Sequence, residues 1–281
     1  MKVAGRIREI KEFIGKMKKE GKTVGFVPTM GYLHEGHVSL IKASKSDNGV
    51  TVLSIFVNPA QFGKNEDFDR YPRDAARDLK IASANGVDAV FMPEIPEIYP
   101  DGYKTYVNVE GITEVLCGKS RPGHFRGVTT IVSKLFNIIE PDRAYFGQKD
   151  IQQAIVIKKM ASDLNMNVEI VVCPTVREPD GLAMSSRNVY LSRGERQAAV
   201  VLPESLFAAK DMIEKGERDK GRIIGYLTKN ISSAPGVDID YIEIRNADNL
   251  EEITEIEGRT VIAAAIKIGK TRLIDNVIIG N

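Results

Sequence analysis

Tryptophan is absent from this chain of 281 residues, and cysteine occurs only twice, at Cys117 and Cys173. Two distant cysteines cannot build a disulfide framework, so a reduced, cytoplasmic protein is the expectation. No apolar run approaches the roughly 20 residues of a membrane span. The opening Met1-Lys2-Val3-Ala4-Gly5-Arg6 lacks the apolar core of a secretory leader. An excess of either charge is missing too. Against 39 Lys and Arg stand 38 Asp and Glu, a formal net charge of +1, which gives no bulk field for nucleic acid or an anionic membrane. What remains, 43% apolar and 27% charged, is the composition of an ordinary globular protein long enough for two domains.

Histidine is scarce as well, with three in the chain, yet His34 and His37 fall within one short stretch, Pro28-Thr29-Met30-Gly31-Tyr32-Leu33-His34-Glu35-Gly36-His37. Residues 22–27 before it are apolar and β-branched and read as a buried strand. Residues 38–44 after it read as the first helix. Pro28 and Gly31 break the strand, and Gly36 lets a ligand approach the backbone. A strand, a loop and a helix start leave free helix N–H groups and a positive dipole end facing the loop, which suits phosphate. Three readings of the two imidazoles compete. They could be a polar helix cap. They could be zinc ligands, but the metalloprotease pattern needs a spacing of four on a formed helix, and Cys117 and Cys173 do not complete a set. They could donate hydrogen bonds to nucleotide phosphates, and this reading is preferred. The motif resembles the H-x-G-H signature of α/β nucleotidyltransferases.

The rest of the chain fits that setting. Residues 4–20 carry Ile7, Ile10, Ile14 and Met17 at helical spacing. Residues 50–57 form a continuous β-branched run that ends at Asn58-Pro59-Ala60-Gln61-Phe62. A helix is predicted over 72–84, a strand over 89–92, a long excursion over 93–123, a helix over 127–139, a strand over 143–146, a helix over 151–164 and a strand over 168–173. The alternation predicts an α/β fold, a Rossmann-like doubly wound parallel sheet, with ligands beyond the carboxyl ends of its strands. After a nonperiodic stretch, 174–191, helices are predicted over 193–217 and 219–231. Strands over 237–244, 261–268 and 271–279 then follow without helices between them. We therefore divide the chain into 1–176 and a smaller C-terminal α+β domain, 177–281.

Three further motifs carry chemistry. Arg121-Pro122-Gly123-His124-Phe125-Arg126-Gly127 places cations at a helix start, against the dipole, and reads either as a solvated basic helix start or as a place for an anionic ligand or leaving group. The roles of Arg121, His124 and Arg126 stay open. Gly147-Gln148-Lys149-Asp150 repeats the strand-to-helix geometry of the first motif, and its lysine suits a nucleotide phosphate, although Asp150 and Gln153 also read as a capping box. Met184-Ser185-Ser186-Arg187-Asn188 offers two hydroxyls and a guanidinium on a loop, or else an ordinary polar linker.

Together, P-T-M-G-Y-L-H-E-G-H at 28–37, F-V-N-P-x-Q-F at 56–62, Y-P-R at 71–73, R-P-G-H-F-R-G at 121–127, F-G-Q-K-D-x-Q-Q at 146–153 and P-T-V-R-E-x-D-G-L-A-M-S-S-R-N at 174–188 resemble the pantothenate synthetase (pantoate–β-alanine ligase) family. The resemblance implies an ATP-dependent ligase that forms pantoyl adenylate and then pantothenate, AMP and pyrophosphate. It implies that His37, His34 and Lys149 act at the phosphates. ATP would be held by Met30, Gly31, Tyr32, Leu33, His34, Glu35, Gly36 and His37, by Gly147, Gln148, Lys149 and Asp150, and by Val176, Met184, Ser185, Ser186 and Arg187. Gln61 and Gln153 would bind pantoate, and Gln61 would also face β-alanine. Mg2+ is expected through the ATP phosphates, with no protein ligand named; Asp78 matches an acidic position near the family's metal, but helix-surface solvation is the preferred explanation of an Asp among charges. A homodimer with a C-terminal lid is implied, with no nucleic-acid or membrane partner. Two alternatives remain: a nucleotidyltransferase that keeps the nucleotide on its product, and a nucleotide-binding protein without catalysis.

Overall fold

The computed structural model describes residues 1–64 and 66–280. The chain forms two compact units whose segments alternate along the sequence. The first holds Met1–Glu110, Arg121–Gly147 and Val156–Pro174; the second holds Gly111–Ser120, Gln148–Ile155 and Thr175 onward. A single division at 176 therefore leaves two short segments on the other side. The physical reason is apolar: Leu116, Ile151 and Ile155 belong to one buried cluster with Ala247, Leu250, Val261 and Ala263.

In the first unit a six-stranded parallel sheet runs in the order β1, β4, β3, β2, β5, β6. The strands are β1 (Lys2–Ala4), β2 (Val24–Thr29), β3 (Val50–Ile55), β4 (Ala89–Phe91), β5 (Arg143–Gly147) and β6 (Glu169–Cys173). Chain order runs outward from β2 through β3 to β4, then returns to β5 on the other side of β2. The topological switch point thus falls between β2 and β5, where α/β sheets bind their ligands. β2 and β3 are in register from Val24 opposite Val50 to Thr29 opposite Ile55. All six residues of β3 are buried, as expected of a parallel strand covered on both faces. β1 is not foreseen in the sequence; three residues with one buried side chain carry too little period to read.

The helices are α1 (Ile7–Lys19), α2 (Glu35–Asp47), α3 (Ala75–Ala84), α4 (Ile95–Ile98), α5 (Leu116–Ser120), α6 (His124–Ile139) and α7 (Ile151–Asp163). Two starts differ from expectation. α3 begins at Ala75 rather than Pro72, because the Asp74 side chain caps it on the Arg77 N–H at 3.0 Å. α6 begins at His124, one residue after Gly123, whose φ of 83° only glycine adopts readily. α4 and α5 lie within the predicted excursion, too short to show a period. Val27, Leu33, Ile41, Leu53, Val90 and Tyr145 centre the first unit's core.

The second unit packs α8 (Arg193–Ala199), α9 (Val201–Glu214) and α10 (Lys220–Ile231) with an antiparallel sheet, β7 (Val237–Asn246), β8 (Thr260–Ile268) and β9 (Thr271–Ile279). Ser192 and Glu195 form the expected capping box. The single helix expected over 193–217 breaks at Val200. Pro203 has no N–H to give the preceding turn, and a helix accepts it only near its first turn. Among the described residues, no helix is long and apolar enough to cross a membrane.

Candidate active site

The carboxyl end of β2 delivers the histidine loop. Gly31 and Tyr32 both have left-handed backbones, with φ of 84° and 51°, and a non-glycine residue there is strained. Three acceptors hold them. Gly31 N–H donates to Thr29 Oγ1 at 3.2 Å, Tyr32 N–H to Asp78 Oδ2 at 2.7 Å and Leu33 N–H to Asp78 Oδ1 at 2.8 Å. Asp78 is 1% exposed, so surface solvation does not account for it. Sequence spacing could not reveal that an α3 carboxylate serves a loop more than forty positions earlier.

His34 caps α2. Its Nδ1 accepts from Gly36 N–H at 3.2 Å, and His37 Nδ1 accepts from His34 N–H at 3.2 Å, a reciprocal capping box made of imidazoles. The helix-cap reading thus describes the local structure. A neutral ring whose Nδ1 accepts carries its proton on Nε2. Both rings, 4.1 Å apart between centroids, are therefore Nε2–H donors at the positive end of a helix.

Gln61 ends a short 3-10 turn, Pro59–Gln61, after β3. Its amide polarity is fixed by backbone two steps away. Ala60 N–H can only donate, so the Asn58 atom it meets at 3.3 Å is Oδ1; Gly127 C=O can only accept, so the atom at 3.1 Å is Nδ2. That Nδ2 also meets Gln61 at 3.1 Å, which must be Gln61 Oε1. Gln61 Nε2 then lies 3.1 Å from Met30 Sδ, bringing an expected pantoate ligand to an expected ATP ligand. Tyr99 O–H donates to the second lone pair of Asn58 Oδ1 at 2.7 Å. Burial, then the neighbouring Tyr103 and Tyr106, push this phenol well above its ordinary range, so it stays a donor. Asn58 and Tyr99 carry no sequence signal that reveals this arrangement.

The main chain of Gln61 is held by the arginine-histidine motif. Its carbonyl meets His124 Nδ1 at 2.9 Å and accepts from Arg121 Nη2 at 3.3 Å. Within the chain, Arg121 of this basic helix start is paired in bidentate fashion with Glu66, at 2.7 and 2.5 Å. Burial acts to raise the Glu66 carboxyl, but the hydrogen bond and charge of Arg121 outweigh it and hold the group below its ordinary value. Arg126 lies over the Tyr106 ring at 3.9 Å. A pocket beside these groups is lined by Gln61, Tyr106, Arg121, His124 and Arg126.

In the second unit, Gln148–Asp150 is a 3-10 turn leading into α7. The buried Asn276 of β9 donates to both Gln148 C=O at 2.9 Å and Lys149 C=O at 3.0 Å, which fixes the turn; Asn276 is another residue that sequence reading missed. Lys149 Nζ lies 3.7 Å from Asp150, and Gln153 is half-buried in the first turn of α7. Val176 C=O accepts from Met184 N–H at 3.0 Å. Ser185 caps the short turn Ser186–Tyr190 by accepting from Arg187 N–H at 3.3 Å. Met30, Gly31, Tyr32, Leu33, His34, Glu35, Gly36, His37 and Gln61 thus belong to the first unit, with Gly147 at the end of β5, while the remaining expected ligands belong to the second. Among the described residues, no group of three or more His, Cys, Asp or Glu side chains is arranged to hold a metal ion.

Residues 2–278 match the family described as Pantoate-beta-alanine ligase. A pantothenate synthetase of Acetivibrio thermocellus is 64% identical over 279 residues, 99% of each chain, and one of Caldicellulosiruptor saccharolyticus is 59% identical over the same share. The crystal structure of pantothenate synthetase from Thermus thermophilus superposes with a TM-score of 0.94 at 41% identity, covering 99% of both chains. A pantoate-β-alanine ligase from Francisella tularensis, complexed with beta-gamma ATP and β-alanine, does so with a TM-score of 0.80 at 36% identity, covering 99% of this chain and 97% of the other.

Proposed function

The chain belongs to the pantoate–β-alanine ligase family, and from that premise we propose that it joins pantoate to β-alanine at the expense of ATP. A pantoate carboxylate oxygen attacks the α-phosphorus of ATP, and pyrophosphate leaves. The amine of β-alanine then attacks the acyl carbon of pantoyl adenylate, loses a proton, and AMP leaves as pantothenate forms. Neither step needs a covalent bond to the protein. Both need charge stabilised on phosphate oxygens by fixed donors.

The observation that carries this reading is the imidazole capping box. His34 and His37 accept backbone N–H groups on Nδ1 and so offer Nε2–H to phosphate oxygens without carrying charge of their own. On the same reading Met30 to His37 line the nucleotide, and Lys149 offsets charge on the α-phosphate. Ser185, Ser186 and Arg187 serve the β- and γ-phosphates, with Gly147, Gln148, Asp150, Val176 and Met184 as further ATP contacts. Gln61 and Gln153 bind pantoate. A hydroxy acid rich in oxygen calls for such amides, and the Nε2 donor of Gln61 suits its acceptors. Gln61 also faces β-alanine. Mg2+ would be carried by the nucleotide phosphates, where it neutralises charge. A cytoplasmic homodimer, with the C-terminal domain acting as a lid, completes the proposal.

The direct test is product analysis. With ATP, pantoate and β-alanine, the enzyme is expected to yield pantothenate, AMP and pyrophosphate in equal amounts. A product that retains the nucleotide would overturn the ligase reading in favour of a nucleotidyltransferase.

A further inference from the structure

The geometry points to Asp78 as the positioning residue that holds the histidine loop in its working shape, a role distinct from binding a metal. The inference rests on the reading of His34 and His37 given above. Asp78 is buried, at 1% exposure, and both its oxygens are engaged. Oδ2 accepts from Tyr32 N–H at 2.7 Å and Oδ1 from Leu33 N–H at 2.8 Å. These two amides follow the consecutive left-handed residues Gly31 and Tyr32, a conformation that persists only when its surroundings impose it.

The fit is close. A Cβ built on Gly31 would meet Asp78 Oδ2 at 2.9 Å and Ile55 Cγ2 at 3.0 Å, so the carboxylate fills the space behind the loop. It arises from the first turn of α3, four residues after the Asp74 cap, on an element packed with the core through Ala82. Arg77, beside it in sequence, lies over the Tyr32 ring at 5.0 Å. Leu33, the second residue held, is fully buried and precedes the His34 cap directly. Release of the loop at Tyr32 and Leu33 would therefore move the His34 N–H that sets the His37 ring. Asp78 acts on the reaction through the imidazoles and not by touching substrate.

Asp78→Asn tests this, since it keeps the size of the side chain but turns one acceptor into a donor facing a loop N–H. With only three histidines in the chain, 15N-labelled imidazoles can be assigned by substituting each in turn. In the wild type, His34 and His37 should both read as Nε2–H tautomers. In Asp78→Asn at least His37 should become a tautomer mixture. Pyrophosphate exchange should fall about 100-fold, the scale of a roughly 1 Å misplacement, with the half-saturating free Mg2+ unchanged. Ring signals that stay as in the wild type would overturn the inference, and a raised Mg2+ requirement with unchanged rings would make Asp78 a metal ligand instead. Should the variant not fold, hydrogen exchange of the wild type decides. Slow exchange of the Tyr32 and Leu33 amides supports the inference, and exchange at the rate of a free chain overturns it. None of the ring or amide measurements needs turnover. A wild type without any exchange activity would refute the ligase reading and leave this inference to be judged on its own.

Discussion

Gly127→Ala is the substitution whose outcome the geometry dictates most sharply. A Cβ at residue 127 would lie 2.2 Å from Ala60 O, 2.4 Å from Ala60 C and 2.6 Å from Gln61 N. All three are backbone, so no side chain can swing away. Either α6 or the Pro59–Gln61 turn must retreat by about 1 Å to restore ordinary van der Waals separation. That shift stretches the 3.1 Å bond from Asn58 Nδ2 to Gly127 C=O beyond hydrogen-bond range. Overpacking and a buried polar group left unpaired together cost about 3 kcal/mol. For a chain of this size such a loss lowers the melting temperature by about 5 °C. Gln61 moves with its turn, so KM for pantoate should rise steeply while KM for ATP stays within about twofold. Calorimetry and steady-state kinetics on purified Gly127→Ala check both parts. A variant that melts like the wild type and keeps its KM for pantoate would refute the close approach of α6 to the turn and the placement of Gln61 drawn from it.

Gln61→Glu leaves Asn58 a partner but turns the outward donor into an acceptor, so pantoate affinity should fall about 100-fold, close to the loss of a charge-assisted bond plus repulsion; an unchanged KM would refute the donor assignment. Asn276→Ala removes the amide that holds Gln148 C=O and Lys149 C=O and should cost about 2 kcal/mol, read as a lower melting temperature with faster hydrogen exchange at the start of α7. The Glu66 carboxyl titrates below its ordinary value of 4.5. Its bond to Arg121 therefore adds stability that is fully present above pH 4.5 and lost as pH falls through the lowered value. Glu66→Gln should be less stable than wild type at neutral pH, and the gap should close on acidification; a gap independent of pH would contradict the pairing.

The periodicity of the sequence made the sheet legible because burial enforces it. Val50 to Ile55 is apolar and β-branched since β3 is covered on both faces, and the antiparallel character of the last three strands follows from the lack of helices between them. The histidine loop was legible for a local reason, with strand end, breaker residues and helix cap all falling within ten positions. The supports of the site were not. Asp78 and Tyr99 reach Tyr32 and Asn58 across more than forty residues, and Asn276 reaches Lys149 across 127. Such pairs are made by topology and leave no spacing in the chain. Asp78 illustrates the cost, since an Asp among charged neighbours reads as solvated until its burial is known. The break at Val200 was missed because residues 198–202 run apolar straight across it, and Pro203 alone marks the stop.

The central claim is that neutral imidazoles capping α2 stabilise the phosphate charge of an acyl-adenylate step. Its most direct test is exchange of labelled pyrophosphate into ATP, without β-alanine, in the wild type and in His37→Ala. Exchange that requires pantoate and collapses in His37→Ala, with the variant folded, is the predicted result. Exchange undiminished in His37→Ala would contradict the role given to the imidazoles, and a folded wild type that binds ATP but shows no pantoate-dependent exchange would contradict the reaction itself.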